Sequence, residues 1–179
     1  EAVSHIEGPL LILAGPGSGK TRVVTHRIAW LLEHGVAPAR ILALTFTNKA
    51  AEEMRSRVER LVPGHSVWVS TYHRFAARLL RRHAGLVGLE ENYTIYDADM
   101  AGRALRRAIE RARIDPAMFN LDQIRSRISW LKSQFTLPDD YEPRPGYPLG
   151  EVVRRVYPAY QALLAQSNAV DFDDLLLHA

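Results

Sequence analysis

The chain has 179 residues, enough for one domain or two small ones, and 47% of them are hydrophobic, which is ordinary for a protein with a packed core. It contains no cysteine, so disulfides and thiolate metal sites are excluded, and no apolar run approaches the ~18–20 residues needed to span a membrane. The net charge is only +3 but it is unevenly spread: residues 74–82 hold four arginines and no acid, and residues 103–113 hold five arginines and one acid. The lack of cysteine suits a cytoplasmic protein, and a start at Glu1 without Met or a signal peptide suggests a trimmed chain or a piece of a longer one.

Leu10–Leu13 is an apolar run that predicts a short buried strand. It leads into Ala14-Gly15-Pro16-Gly17-Ser18-Gly19-Lys20-Thr21 and then into the helical pattern RVVTHRIAWLLE. Strand, glycine-rich loop and Gly-Lys-Thr opening a helix is the context of a phosphate-binding P-loop. Glycines let successive N–H groups face phosphate oxygens, and the helix N-terminus adds positive potential there. Lys20 is expected to reach the β- and γ-phosphates of ATP, and the Thr21 hydroxyl to ligate Mg²⁺. Ala14 stands where the pattern has glycine, which is compatible if its φ stays negative. A chance glycine loop is the bland alternative, and the flanking strand and helix patterns weigh against it.

The helix after the loop is expected to end at His34-Gly35. Ile41–Phe46 predicts a second buried strand, with Thr47 or Asn48 capping a helix over KAAEEMRSRVERLV that Pro63-Gly64 stops. Val67–Ser70 predicts a third strand, and Tyr72 opens a helix to about His83. This β-α-β-α-β-α order reads as a parallel sheet covered by helices. Beyond Gly88 the pattern turns helical: residues 97–113, 120–133 and 151–166 are expected helices, and a short strand pattern covers Tyr93–Tyr96. The expected domains are therefore 1–88 (nucleotide binding), 89–168 (helical) and 169–179 (the start of another helix).

Ligands of open α/β sheets bind outside the carboxyl ends of the strands. Phe46, Thr47, Asn48 and Lys49 follow the second strand, and Ser70, Thr71, Tyr72, His73 and Arg74 end the third. An aromatic ring to stack on bases, with amide, hydroxyl and cationic groups for phosphates, suits a nucleic-acid strand. The competing reading puts Phe46 in the core and leaves Thr47 as a cap only. Arg74, Arg78, Arg81 and Arg82 share one helix face, and Arg103, Arg106, Arg107 and Arg111 form a second stripe. An ATPase also needs an acid at the end of an apolar strand to order Mg²⁺. Asp171, Asp173 and Asp174 precede their apolar run rather than follow it, so they read as a polar face and as N-terminal helix charge.

AGPGSGKTRVVTHRIAWLL, LALTFTNKAAEEMRSRV, VSTYHRFAARLLRRH and VDFDDLL, in this order and spacing, resemble successive motifs of UvrD/PcrA/Rep-type superfamily 1 DNA helicases across essentially the whole chain. The resemblance implies a RecA-like P-loop NTPase sheet, incomplete here, with an all-helical inserted subdomain that contacts duplex DNA. It implies a 3′-to-5′ translocase that couples ATP hydrolysis to movement on single-stranded DNA, with a second motor domain as partner. It assigns Lys20 and Thr21 to triphosphate and Mg²⁺, Arg22 to the nucleotide base, and Phe46–Lys49 and Ser70–His73 to the DNA strand, with Tyr72 in place of the more usual Phe. The family's adenine-contacting glutamine falls just upstream of Glu1, and its Asp-Glu motif and γ-phosphate-sensing arginines fall beyond Ala179. An N-terminal fragment is therefore expected. Two other classes compete: a nucleic-acid-binding module whose P-loop is only a phosphate site, and a small P-loop kinase, which would need a complete acidic motif and a lid.

Overall fold

A computed structural model describes residues 1–115 and 119–179. By contact, the chain divides into two compact units, Glu1–Phe75 and Ala76–Ala179.

In the first unit, helix α1 (Lys20–Glu33) follows the glycine loop directly. It stops where Gly35 takes φ 83° and the Gly35 and Val36 amides turn back onto the Leu32 and Leu31 carbonyls, a closure that needs the left-handed region. Strand β1 (Leu42–Thr45) leads into α2 (Asn48–Leu61), and β2 (Trp68–Thr71) leads into α3 (Tyr72–His83), which from Ala76 onward belongs to the second unit. The two strands pair in parallel, with Thr45 opposite Thr71. Ile28, Ala29 and Leu32 of α1 pack with Ala51, Met54 and Val58 of α2 and with Ala43 and Val69 of the strands. Apolar residues at helical spacing thus meet the inward residues of a two-stranded sheet.

The expected strand at Leu10–Leu13 does not form. These residues lie outside any strand, and Leu11 and Leu13 are 80% and 86% exposed. An apolar run becomes a strand only when a neighbour supplies its ladder hydrogen bonds. The β1–β2 sheet has no third member among the described residues.

The second unit contains β3 (Thr94–Ile95), α4 (Ala98–Arg111), α5 (Leu121–Ser133), α6 (Pro148–Gln166), β4 (Ala169–Val170) and α7 (Phe172–Leu177). Asp97, Asn120 and Asp171 cap α4, α5 and α7 through their side chains, and Pro148 opens α6. Buried Leu105, Ile109, Ile124, Ile128, Val153, Val156 and Tyr157 join α4, α5 and α6 in one core. β3 and β4 pair in parallel, and Asn168 locks that return: its side chain accepts from the Glu90 amide at 2.9 Å and donates to Asn92 at 2.9 Å. No helix among the described residues is long and apolar enough to cross a membrane.

Candidate functional site

The loop Ala14–Gly19 is exposed throughout, and α1 opens at Lys20. Gly17 and Gly19 have φ of 75° and 83°, and nothing lies within 4 Å of where a Cβ would stand on either. Glycine is needed here for backbone conformation, not for lack of room. Ala14 is not among the residues with positive φ, so alanine is accommodated. The Ser18 hydroxyl donates to the Gly15 carbonyl at 2.7 Å and closes the loop. The Lys20 ammonium donates to the Ala14 and Gly15 carbonyls at 3.0 and 2.6 Å. It is therefore folded over the loop that precedes it. The first-turn N–H groups of Lys20, Thr21 and Arg22 have no intrahelical acceptor and carry the positive end of the dipole.

At the strand ends, Phe46 is 88% exposed, which separates it from the core. Its ring lies 5.4 Å from that of Tyr72 at an interplanar angle of 50°. The sheet register brings them together, because Thr45 and Thr71 are paired and each aromatic is the next residue. Asn48 and Lys49 are exposed on the first turn of α2. Thr47 is the N-cap, and its hydroxyl oxygen accepts from the Ala50 amide at 3.1 Å. Its O–H proton is left to donate elsewhere. Ser70 and Thr71 are buried, and the Thr71 hydroxyl accepts from the Arg74 amide at 3.3 Å, so it orients the start of α3. His73 is half-buried and Arg74 is exposed.

The C-terminal acids depart from the expected polar face. Asp171 and Asp174 are buried and form a reciprocal cap: the Asp174 amide donates to Asp171 at 2.9 Å, and the Asp171 amide donates to Asp174 at 3.1 Å. The fully buried Lys132 ammonium lies 2.7 Å from both carboxylates. The Tyr160 hydroxyl donates to Asp171 at 2.9 Å, and the Gln161 amide donates to Asp174 at 3.1 Å. Burial alone would raise the Asp171 carboxyl, but the Lys132 charge and these hydrogen bonds hold it below the ordinary value. Burial, reinforced by the Asp171 charge, raises Asp174 against the pull of Lys132. Burial and the neighbouring Asp171 charge push the Tyr160 hydroxyl far up, so it stays a donor. The sequence reading does not single out Lys132. Its position among buried Ile128 and Leu131 on α5 is the available signal, and one lysine in a helix is ordinarily solvated. The basic face of α3 is also partly engaged, because Arg81 stacks on Tyr93 at 4.6 Å and donates to the Glu91 carbonyl.

A family model described as UvrD/REP helicase N-terminal domain matches residues 1–179. The chain belongs to this family. An ATP-dependent DNA helicase PcrA of Leuconostoc citreum is 46% identical over 181 residues, covering 99% of this chain and 24% of its own length. Proteins of the same name from Staphylococcus epidermidis and Staphylococcus aureus are 45% and 44% identical over 180 residues, covering 99% of this chain and 25% of theirs. The chain thus spans about a quarter of the length of the curated relatives it matches. In this UvrD/REP domain the glycine loop and the Phe46–Tyr72 pair belong to the same unit, Glu1–Phe75.

Proposed function

We propose that the chain is the ATP-binding segment of an ATP-dependent DNA helicase that moves 3′ to 5′ on single-stranded DNA and unwinds duplex. Residues 1–88 would be the nucleotide-binding part of the first motor domain, 89–168 its helical insertion and 169–179 the return. The observation that carries the reading is the exposed Phe46 ring set beside Tyr72 at the ends of paired parallel strands. An 88% exposed aromatic costs solvation in a free monomer and suits a base-stacking role. The first-turn amides of α1 and the glycine loop fit a polyphosphate, since their donors lie on an exposed loop with open space around Gly17 and Gly19. Lys20 would exchange the Ala14 and Gly15 carbonyls for phosphate oxygens, Thr21 would offer its hydroxyl to Mg²⁺, and Arg22 would lie against the base. Bound Mg²⁺-ATP supplies the phosphoanhydride whose hydrolysis drives such motors. Asn48, Lys49, His73 and Arg74 would hold DNA phosphates around the stacked rings, and Thr47 and Thr71 would fix the helix starts. A second motor domain is the expected partner, and a cytoplasmic setting follows from work on DNA.

The test is nucleotide and oligonucleotide binding by this chain and its Lys20→Ala variant. The variant is expected to lose at least tenfold in Mg²⁺-ATP affinity, followed with a fluorescent analogue, while keeping nucleotide-free binding of single-stranded DNA. Unchanged nucleotide affinity would overturn the P-loop assignment. DNA binding that responds to nucleotide in neither protein would favour a module whose P-loop is only a phosphate site.

A further inference from the structure

A second group of cations lies between α1 and α2. Arg22 and His26 of α1 and Arg57 and Arg60 of α2 line a surface cavity of about 360 Å³, completed by Thr25 and Leu61. Among the described residues no carboxylate lines it. Among the described residues Arg22 and Arg60 have no ion pair, and Arg60 only donates Nε to the Ser56 carbonyl at 3.3 Å. Arg57 pairs with Glu53 one turn back in an exposed contact, which leaves most of its guanidinium edge available. The α1 wall is held in place. The buried Thr25 hydroxyl donates to the Arg22 carbonyl at 3.0 Å, and His26 Nδ1 lies 2.9 Å from the same oxygen. A carbonyl only accepts, so Nδ1 is the donor and the ring orientation is set.

Three guanidiniums gathered around one cavity repel one another, and an anion relieves that repulsion. Guanidinium forks match phosphate oxygens two at a time, which distinguishes such a pocket from a merely solvated basic face. We propose that this cavity binds a phosphate group independently of the glycine loop. A free polyphosphate and a DNA backbone offer the same chemistry. Arg22 is shared with the base-contacting role proposed above, whereas Arg57 and Arg60 have no strand-end or P-loop role, so those two arginines and the Lys20→Ala variant separate this site from the ATP reading.

The experiment follows amide resonances of Thr25, His26 and Leu61 in the 179-residue chain by NMR. The titrants are inorganic pyrophosphate without Mg²⁺ and, separately, a single-stranded oligonucleotide lacking terminal phosphates. Saturable shifts at these amides are expected with at least one titrant. They should persist in Lys20→Ala, and their half-saturation should rise at least tenfold in Arg57→Gln/Arg60→Gln. Arg60→Gln alone, at a side chain without an ion pair, guards against a folding effect and should show a smaller rise in the same direction. Saturation by the oligonucleotide alone assigns the pocket to the DNA backbone, and saturation by pyrophosphate alone assigns it to a free polyphosphate. No shift with either titrant, shifts that survive both arginine variants, or shifts abolished by Lys20→Ala would each overturn the proposal.

Discussion

At the scale of single residues, Phe46 decides between two readings that the sequence leaves level. A buried Phe46 would be packing, whereas the exposed ring beside Tyr72 is available to a base. Phe46→Ala is therefore expected to weaken single-stranded DNA binding by about 1–3 kcal/mol, the range for one stacked base. It should leave the melting temperature nearly unchanged, because little core contact is removed. Fluorescence anisotropy with oligonucleotides of different sequence checks the first point and should show little sequence preference, and thermal denaturation checks the second. A large loss of stability with unchanged DNA affinity would return Phe46 to the core. Affinity that remains in the variant should still fall steeply with salt, since Lys49 and Arg74 would contribute through phosphates.

At the scale of elements, α7 is held by buried charge more than by its own length. Six residues do not make a stable helix alone. The reciprocal Asp171–Asp174 cap supplies the first turn, and the single Lys132 charge from α5 partly offsets the pair. Lys132→Met is expected to cost about 3–5 kcal/mol in denaturant unfolding, because removing one partner leaves buried carboxylates uncompensated. The pH dependence has two signs. Asp171 sits below its ordinary 3.8, so its contribution is complete above that value and is lost as pH falls through the depressed one. Asp174 sits above 3.8, so its charge burdens the fold at neutral pH and acid relieves that burden on the way down to 3.8. Lowering the pH from neutral toward 4 should thus favour this network, and lowering it further should weaken it. Asp174→Asn should lack the first effect in a series of thermal melts taken across that range. Loss of the acid-side gain in Asp171→Asn instead would mean the two roles are reversed.

At the scale of the whole molecule, one fact bears on activity and a second on association. The acids Asp171 and Asp174 are committed to Lys132, and no described acid follows an apolar strand of the β1–β2 sheet as a Mg²⁺-ordering group would. The chain is accordingly expected to bind Mg²⁺-ATP with no measurable turnover, with or without single-stranded DNA. DNA-stimulated phosphate release that disappears in Asp174→Asn would show that the C-terminal acids do hydrolytic work after all. Leu10–Leu13 is the second fact, an exposed apolar run of the kind that recruits other chains. Sedimentation of the chain should show association that grows with concentration, and Leu11→Glu/Leu13→Glu should reduce it.

Local chemistry was legible in the sequence. The glycine loop, the helix opening at Lys20, the Thr47 cap, the run of α3 from Tyr72 to His83 and the three long helices of the second unit follow from spacing, capping residues and glycine or proline breaks within a few positions of each other. Motif order carried the family as well. What depends on partners distant in sequence was decided only by the tertiary structure. Leu10–Leu13 has strand composition but no ladder neighbour among the described residues, Lys132 is solvated or buried according to what α7 brings 39 residues later, and Arg57 and Arg22 line one cavity only because two helices share a core. Hydrophobic period and capping act over one or two turns, whereas strand pairing and charge burial are set by which segments are brought side by side.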